Sequence, residues 1–125
     1  MSAVAEQLEE LRAAFPGSAL VEHPDGTAVV TIPEMSLPPG WNMRCVKVCF
    51  VVPRGYPNSG PDCFFADANL MLASGAVIKN AGIQSQPFLP AQMLWFSWHY
   101  PTWNINRDKL LTYARVIQDR LKRPE

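Results

Sequence analysis

The densest chemistry in this 125-residue chain lies in Trp95-Phe96-Ser97-Trp98-His99-Tyr100-Pro101-Thr102-Trp103. A serine hydroxyl is a weak nucleophile until a neighbouring base takes its proton. His99, an imidazole with a reference pKa of about 6.5, is the local base. In a straight strand Ser97 and His99 share a face but stand too far apart to bond, so the pair meets only if the backbone turns. A simpler reading competes: aromatic clusters are core, and Ser-x-His arises by coincidence. On these residues alone both readings stay open.

Other chemistries are poorly supplied. Zinc wants four converging ligands at short local spacings. His23 and His99 are the only histidines, and Cys45 and Cys49 are separated by three residues on an expected strand. No metal site is expected, and Cys45, Cys49 and Cys63 read as small core hydrophobes. The sequence holds neither a P-loop nor a G-x-G-x-x-G fingerprint, which argues against ATP or dinucleotide chemistry, and no cofactor is expected. Eleven basic and eleven acidic residues cancel, a poor basis for gripping nucleic-acid phosphates. No apolar run approaches the roughly 20 residues of a membrane span, and no signal peptide is visible. Three cysteines without a Cys-x-x-Cys pair fit a reducing cytoplasm.

These residues must be positioned by a fold, and twelve prolines mark its turns. The hydropathy of 48% apolar against 18% charged residues is that of a globular chain, one domain over 1–125. Val4, Leu8, Leu11 and Phe15 recur at helical spacing, predicting a helix over 3–15 with Ser2 as N-cap and Pro16-Gly17 as its stop. Strands are expected over 19–22 and 27–32, joined by the turn His23-Pro24-Asp25-Gly26. A loop follows over 33–43. Residues 44–52 carry the strongest strand pattern, with Val46, Val48, Phe50 and Val52 on one face and Cys45, Lys47, Cys49 and Val51 on the other. A turn over 54–61 leads to a short strand over 62–66. Residues 67–94 show little periodicity and read as loop with one short helical turn. Leu110, Ala114, Ile117 and Leu121 then form a helical stripe with Leu111 beside it. Asn106 is its expected cap, Asp108 lies in the first turn, and Arg120, Lys122 and Arg123 end it, as the helix dipole favours. The expected class is α+β: N-terminal helix, antiparallel four-stranded meander, irregular region, C-terminal helix.

The segment Val51-Val52-Pro53-Arg54-Gly55-Tyr56-Pro57-Asn58-Ser59-Gly60-Pro61-Asp62 resembles the Tyr-Pro…Pro signature of the ubiquitin-conjugating (E2, UBC-fold) superfamily, whose element order also matches. More narrowly, the chain resembles prokaryotic E2 family E. Leu37-Pro38-Pro39-Gly40-Trp41-Asn42 is similar to that family's Leu-Pro-Pro-Gly-aromatic-Asn loop. Tyr56-Pro57 with Pro61-Asp62 and Phe64 is similar to its Tyr-Pro…Pro-Asp-x-Phe. Trp95 with Ser97-Trp98-His99, then Trp103 and Asp108-Lys109-Leu110, is similar to its last block. The matches span residues 37–121. Pro53 and Pro57 stiffen a turn, and Tyr56 buries a ring whose hydroxyl needs a partner.

The departures from familiar E2 enzymes matter more. Those carry a cysteine shortly before the tryptophan that introduces the next helix, and an Asn in His-Pro-Asn that stabilises the oxyanion. Here no cysteine follows Cys63, which falls on an expected strand, and no His-Pro-Asn occurs. Asn80 is the nearest asparagine. Ser97 and His99 occupy the window before Trp103. One reading is therefore an E2-like transferase: Ser97 accepts the C-terminal carboxyl of a ubiquitin-like protein from an E1 thioester as an oxyester, a downhill step. His99 deprotonates Ser97 and later helps the attacking amine. Backbone N–H groups near Gly75 or Gly82 would serve the oxyanion. The alternative is a catalytically inactive E2 variant, a binding module for a ubiquitin-like protein or E1, with its tryptophans as contact surface. A third reading takes Ser97 as the replacement of a native cysteine.

Partners follow from the resemblance alone: an E1-like activating enzyme, a ubiquitin-like protein and a target protein. Family members occur in bacterial operons beside such proteins and JAB-type peptidases, many associated with defence against phage. E2 enzymes dock E1 through the first helix, where Glu6, Glu9, Glu10 and Arg12 could contribute; a solvated face explains them equally well.

Overall fold

The alternating run around residue 48 organises the molecule. In this computed structural model, which describes residues 3–89 and 91–125, β3 (Cys45–Val52) sits inside an antiparallel sheet. Val46, Val48, Phe50 and Val52 are all buried. They pack beneath α1 (Ala3–Ala14) and α2 (Leu110–Leu121), with the Phe50 and Tyr113 rings edge to face at 5.2 Å. Cys49, on the reverse face of β3, joins Val29, Phe65, Leu89 and Met93 in a smaller cluster. Both faces of the sheet centre are therefore covered.

The class is α+β, as the sequence predicts, but the sheet has six strands rather than four. β1 (Ala19–Glu22), β2 (Ala28–Ser36), β3 and β4 (Phe64–Asp67) form the expected meander. β5 (Ala81–Gln84) and β6 (Met93–Phe96) extend it, in the order β1-β2-β3-β4-β6-β5. Both added strands have four residues. Ala-Gly-Ile-Gln offers no alternation, and Met-Leu-Trp-Phe is an unbroken apolar run whose period cannot be read. Pairing with β4 and with each other makes them strands.

Three boundaries also move, the first being the strand expected over 62–66: it runs Phe64–Asp67, because Cys63 takes φ +65° and leaves the ladder. β2 runs past Pro33 to Ser36 because the register slips between Ile32 and Met35, and a bulge absorbs the missing proline donor. α2 begins at Leu110, with Lys109 as N-cap and its N–H held by Thr112 Oγ1 at 2.9 Å. Asn106 and Asp108 belong instead to the turn before it. The Ser2 cap lies outside the described residues. Among the described residues no helix is long and apolar enough to cross a membrane.

Candidate functional site

The insertion of β6 between β4 and β5 gathers the reactive residues at one end of the sheet. Phe96 pairs with Phe64 on one side and with Ala81 on the other. One residue on, Ser97 donates its N–H to the Asn80 carbonyl at 2.8 Å. On the opposite flank the β4 ladder stops short: Cys63 takes φ +65° and turns its N–H to the Trp98 carbonyl at 3.0 Å. Ser97 thus has Asn80 on one flank and Cys63 on the other. Arg120 of α2 lies over both the Phe96 and the Trp98 rings at 5.3 Å. Strand alternation accordingly sends Ser97 and His99 to the face away from α2.

His99 is held from a residue the sequence did not put beside it. Its Nδ1 lies 2.5 Å from Asp62 Oδ1, with both side chains about 60% exposed (60% and 64%). The ring nitrogen and the carboxylate oxygen are within hydrogen-bonding distance. In the tautomer that donates Nδ1–H to the carboxylate, Nε2 is the nitrogen that carries the lone pair a base needs. No hydrogen bond joins Ser97 to His99 among the described residues, as expected for an extended backbone where i and i+2 stand roughly 7 Å apart. Asp62 was visible in the sequence only as part of Pro-Asp-x-Phe. Its partnership with His99, across 37 positions, leaves no local trace.

Cys63 completes a compact group. One donor atom each of Asp62, Cys63 and His99 lie within 4.8 Å of one another. Cys63 is half-buried rather than core, and Cys45 is exposed; of the three thiols only Cys49 packs as the small hydrophobe expected of all. Burial, with the Asp62 charge adding, pushes the Cys63 thiol above its ordinary range, against an opposing hydrogen bond with Trp98. Three donors of mixed type fall short of a closed tetrahedral zinc site, and the carboxylate and imidazole already satisfy each other. An open cleft of about 340 Å³ lies over Asp62 and His99, lined also by Gly60, Tyr100 and Trp103; neither Cys63 nor Ser97 lines it.

A bonded scaffold carries this end of the sheet. The Tyr56 hydroxyl donates to Gln7 Oε1, which also accepts the Leu110 N–H at 3.0 Å, so one amide ties α1, the Tyr-Pro turn and α2. Burial pushes the Tyr56 phenol well above its ordinary range. Trp103 Nε1 donates to the Pro57 carbonyl at 2.8 Å. Its ring lies so close to Gly60 that a Cβ there would sit 2.3 Å from it. Asp108, 3% exposed, accepts from Arg107, the Asn104 N–H and the Tyr100 hydroxyl. The Arg107 hydrogen bond, against the cost of burial, holds its carboxyl below the usual range. Trp41 Nε1 donates to Leu121 O at 2.8 Å, and Asn42 bonds Met71 and Asn69, so the Leu-Pro-Pro-Gly loop anchors the end of α2.

The expected oxyanion donors fare unevenly. Gly75 N–H is already bonded to Leu72 O at 2.9 Å, and Gly82 faces Trp95 inside the β5–β6 ladder. Asn80 is exposed and adjacent to Ser97, with φ +61°. On α1, Glu9 pairs with Arg12 at 2.7 Å and Glu10 approaches Lys109 at 3.9 Å, so these charges partly satisfy one another.

Neither a curated protein nor a solved structure matches the chain. The family model for prokaryotic E2 family E matches residues 17–124, from just after α1 to the last turn. That span covers the Leu-Pro-Pro-Gly loop, the Tyr-Pro turn and the Ser97–His99 block together, and this chain belongs to prokaryotic E2 family E.

Proposed function

We propose that the chain is an acyl carrier of a bacterial ubiquitin-like conjugation pathway, working in the cytoplasm without a cofactor. Membership of the E2 family places it in a prokaryotic ubiquitination-like pathway in general terms, which implies E1-like and ubiquitin-like partners. In the finer reading, Ser97 Oγ attacks the thioester carbonyl presented by the E1. His99 Nε2 takes the serine proton and returns it to the departing E1 sulfur. An oxyester on Ser97 results, and an amine of the target protein later displaces it. A role in defence against phage accords with the operons of the resembling family.

The observation that carries this reading is the Asp62–His99 hydrogen bond at the exposed end of β6, two residues from Ser97. An imidazole fixed through Nδ1 by a carboxylate is the arrangement in which Nε2 serves as base. What it requires in addition is a change of backbone or rotamer that closes the Ser97–His99 gap when the donor binds; such hydrogen bonds often tighten only in the complex. The check is incubation with the cognate E1, ATP and ubiquitin-like protein. The wild type acquires an oxyester that maps to Ser97 and is released by alkali and hydroxylamine; Ser97→Ala lacks that oxyester. A wild-type adduct with no oxyester at Ser97 removes Ser97 as acceptor.

The missing Ser97–His99 bond favours a second reading, a binding module without its own catalysis. It expects the ubiquitin-like protein or E1 to bind wild type and Ser97→Ala alike, with no adduct on either.

A further inference from the structure

We infer that Cys63 is a second acyl acceptor at the same base, a thiol served by His99 with Asp62 as the residue that positions the imidazole. The inference rests on the acyl-transfer reading of His99. Four observations converge on it. Sγ of Cys63, a ring nitrogen of His99 and a carboxylate oxygen of Asp62 lie within 4.8 Å of one another. His99 is fixed by Asp62 and hydrogen-bonds neither Cys63 nor Ser97 among the described residues, so serving either takes a small movement. Cys63 is only half-buried, and its two neighbours in the group, Asp62 and His99, line the open cleft. And it holds φ +65°, a left-handed conformation uncommon outside glycine and asparagine, at the break between turn and β4. Such backbone is kept where the surroundings over-determine it, often at functional sites. Here the Cys63 N–H to Trp98 carbonyl bond, shared with the Tyr113 hydroxyl on the same oxygen, does so.

The sequence sets Cys63 aside because it falls on an expected strand, where its side chain would be committed to the sheet. In the fold β4 begins one residue later, at Phe64. A thiol that burial keeps protonated also has use for a base, as an already ionised thiolate would not.

The step balances. Cys63 Sγ attacks the carbonyl carbon of the E1 thioester, forming a new carbon–sulfur bond as the bond to the E1 cysteine breaks. His99 takes the Cys63 proton and gives it to the departing E1 sulfur. One thioester replaces another, with no oxidant or reductant. An amine attacking the new thioester forms an amide and returns Cys63 as a thiol. Compared with an oxyester, the thioester is the more reactive donor toward that amine.

Two measurements test this. Timed alkylation with iodoacetamide, read cysteine by cysteine by peptide mass spectrometry, uses exposed Cys45 as an internal control. At neutral pH the rate at Cys63 should fall on the order of 10-fold in His99→Ala and less in Asp62→Asn, with Cys45 unchanged. A Cys63 rate indifferent to His99 overturns the inference; His99→Gln repeats the comparison if the alanine variant folds poorly. The second probe is a peptide thioester of mercaptoethanesulfonate with a C-terminal glycine. The expected result is a hydroxylamine-labile adduct that maps to Cys63, is lost in Cys63→Ser as a thioester and survives in Ser97→Ala. An adduct kept by Cys63→Ser and lost in Ser97→Ala overturns the inference and upholds Ser97. One that persists in both variants overturns both.

Discussion

The two sides of the Ser97–His99 segment are built on opposite plans. On the Trp103 side the side chains are bonded to one another: Trp103 to Pro57, Tyr56 to Gln7, Gln7 to Leu110, and Asp108 to Arg107, Asn104 and Tyr100. On the β-sheet side, Ser97 and Asn80 touch through their backbones, and neither side chain has a hydrogen bond among the described residues. Asp62 and His99 are joined there, both largely exposed to water. The difference separates what holds this fold from what is left for chemistry. Polar side chains that satisfy each other in the interior rigidify; polar side chains left unspent at a strand end are available to a substrate.

Breaking the bonded side should cost stability first. Trp103→Ala removes a ring that covers Gly60 and packs against Tyr56 at 5.6 Å and Tyr100 at 6.2 Å between centroids. A loss of about 3 kcal/mol is expected in urea denaturation, the low end for a large aromatic because Trp103 is not fully buried. Gly60→Ala attacks the same contact from the other side by forcing a methyl into the ring, at about 2 kcal/mol. If both variants denature like the wild type, the Tyr-Pro turn is held by something other than Trp103.

Asp108→Asn comes next, at about 2 kcal/mol, since a buried charge-assisted acceptor is replaced by an amide that cannot satisfy the same donors. Its signature is in the pH dependence. The folded state holds the Asp108 carboxyl below its ordinary value. The stabilisation is therefore complete above the unfolded pKa of about 3.9 and is lost as pH falls through the lower folded value. Acid should destabilise the wild type more than Asp108→Asn, so the gap between them narrows below about pH 4. A gap independent of pH would mean that the charge of Asp108 contributes nothing.

The same contrast explains what was legible in the sequence. The bonded side announced itself because its residues are costly types at fixed positions: Tyr56-Pro57, Trp103, Asp108. The long strand around Val48 was legible from alternation, and α2 from its stripe, although the buried Tyr113 and Arg120 lie outside the stripe as read. Arg120 is interior because three carbonyls, of Lys79, Arg123 and Glu125, accept from its guanidinium, a set assembled only by the fold. β5 and β6 were not legible, and the site depends on them. Ser97 and His99 were singled out by type, but Asp62, Cys63 and Asn80 reach them through strand pairing, which has no signature in a single sequence.

The unbonded side should respond in the opposite sense, with folding nearly untouched and chemistry lost. His99→Ala and Asp62→Asn change groups about 60% exposed (60% and 64%), so each should alter unfolding free energy by no more than roughly 0.5 kcal/mol. His99→Ala removes the proposed base and should slow acyl loading by on the order of 100-fold. Asp62→Asn keeps a hydrogen-bond partner of the same shape at the imidazole but removes its charge. Its amide nitrogen can also donate to Nδ1, which would leave the proton on Nε2, the wrong side for a base. Loading should then fall to an intermediate rate, and NMR of the imidazole nitrogens should report a changed tautomer balance. A variant that loads slowly with the tautomers unaltered would show Asp62 acting on the partner protein. One that loads at the wild-type rate would return the Asp62–His99 bond to the category of exposed surface pairs, which contribute little.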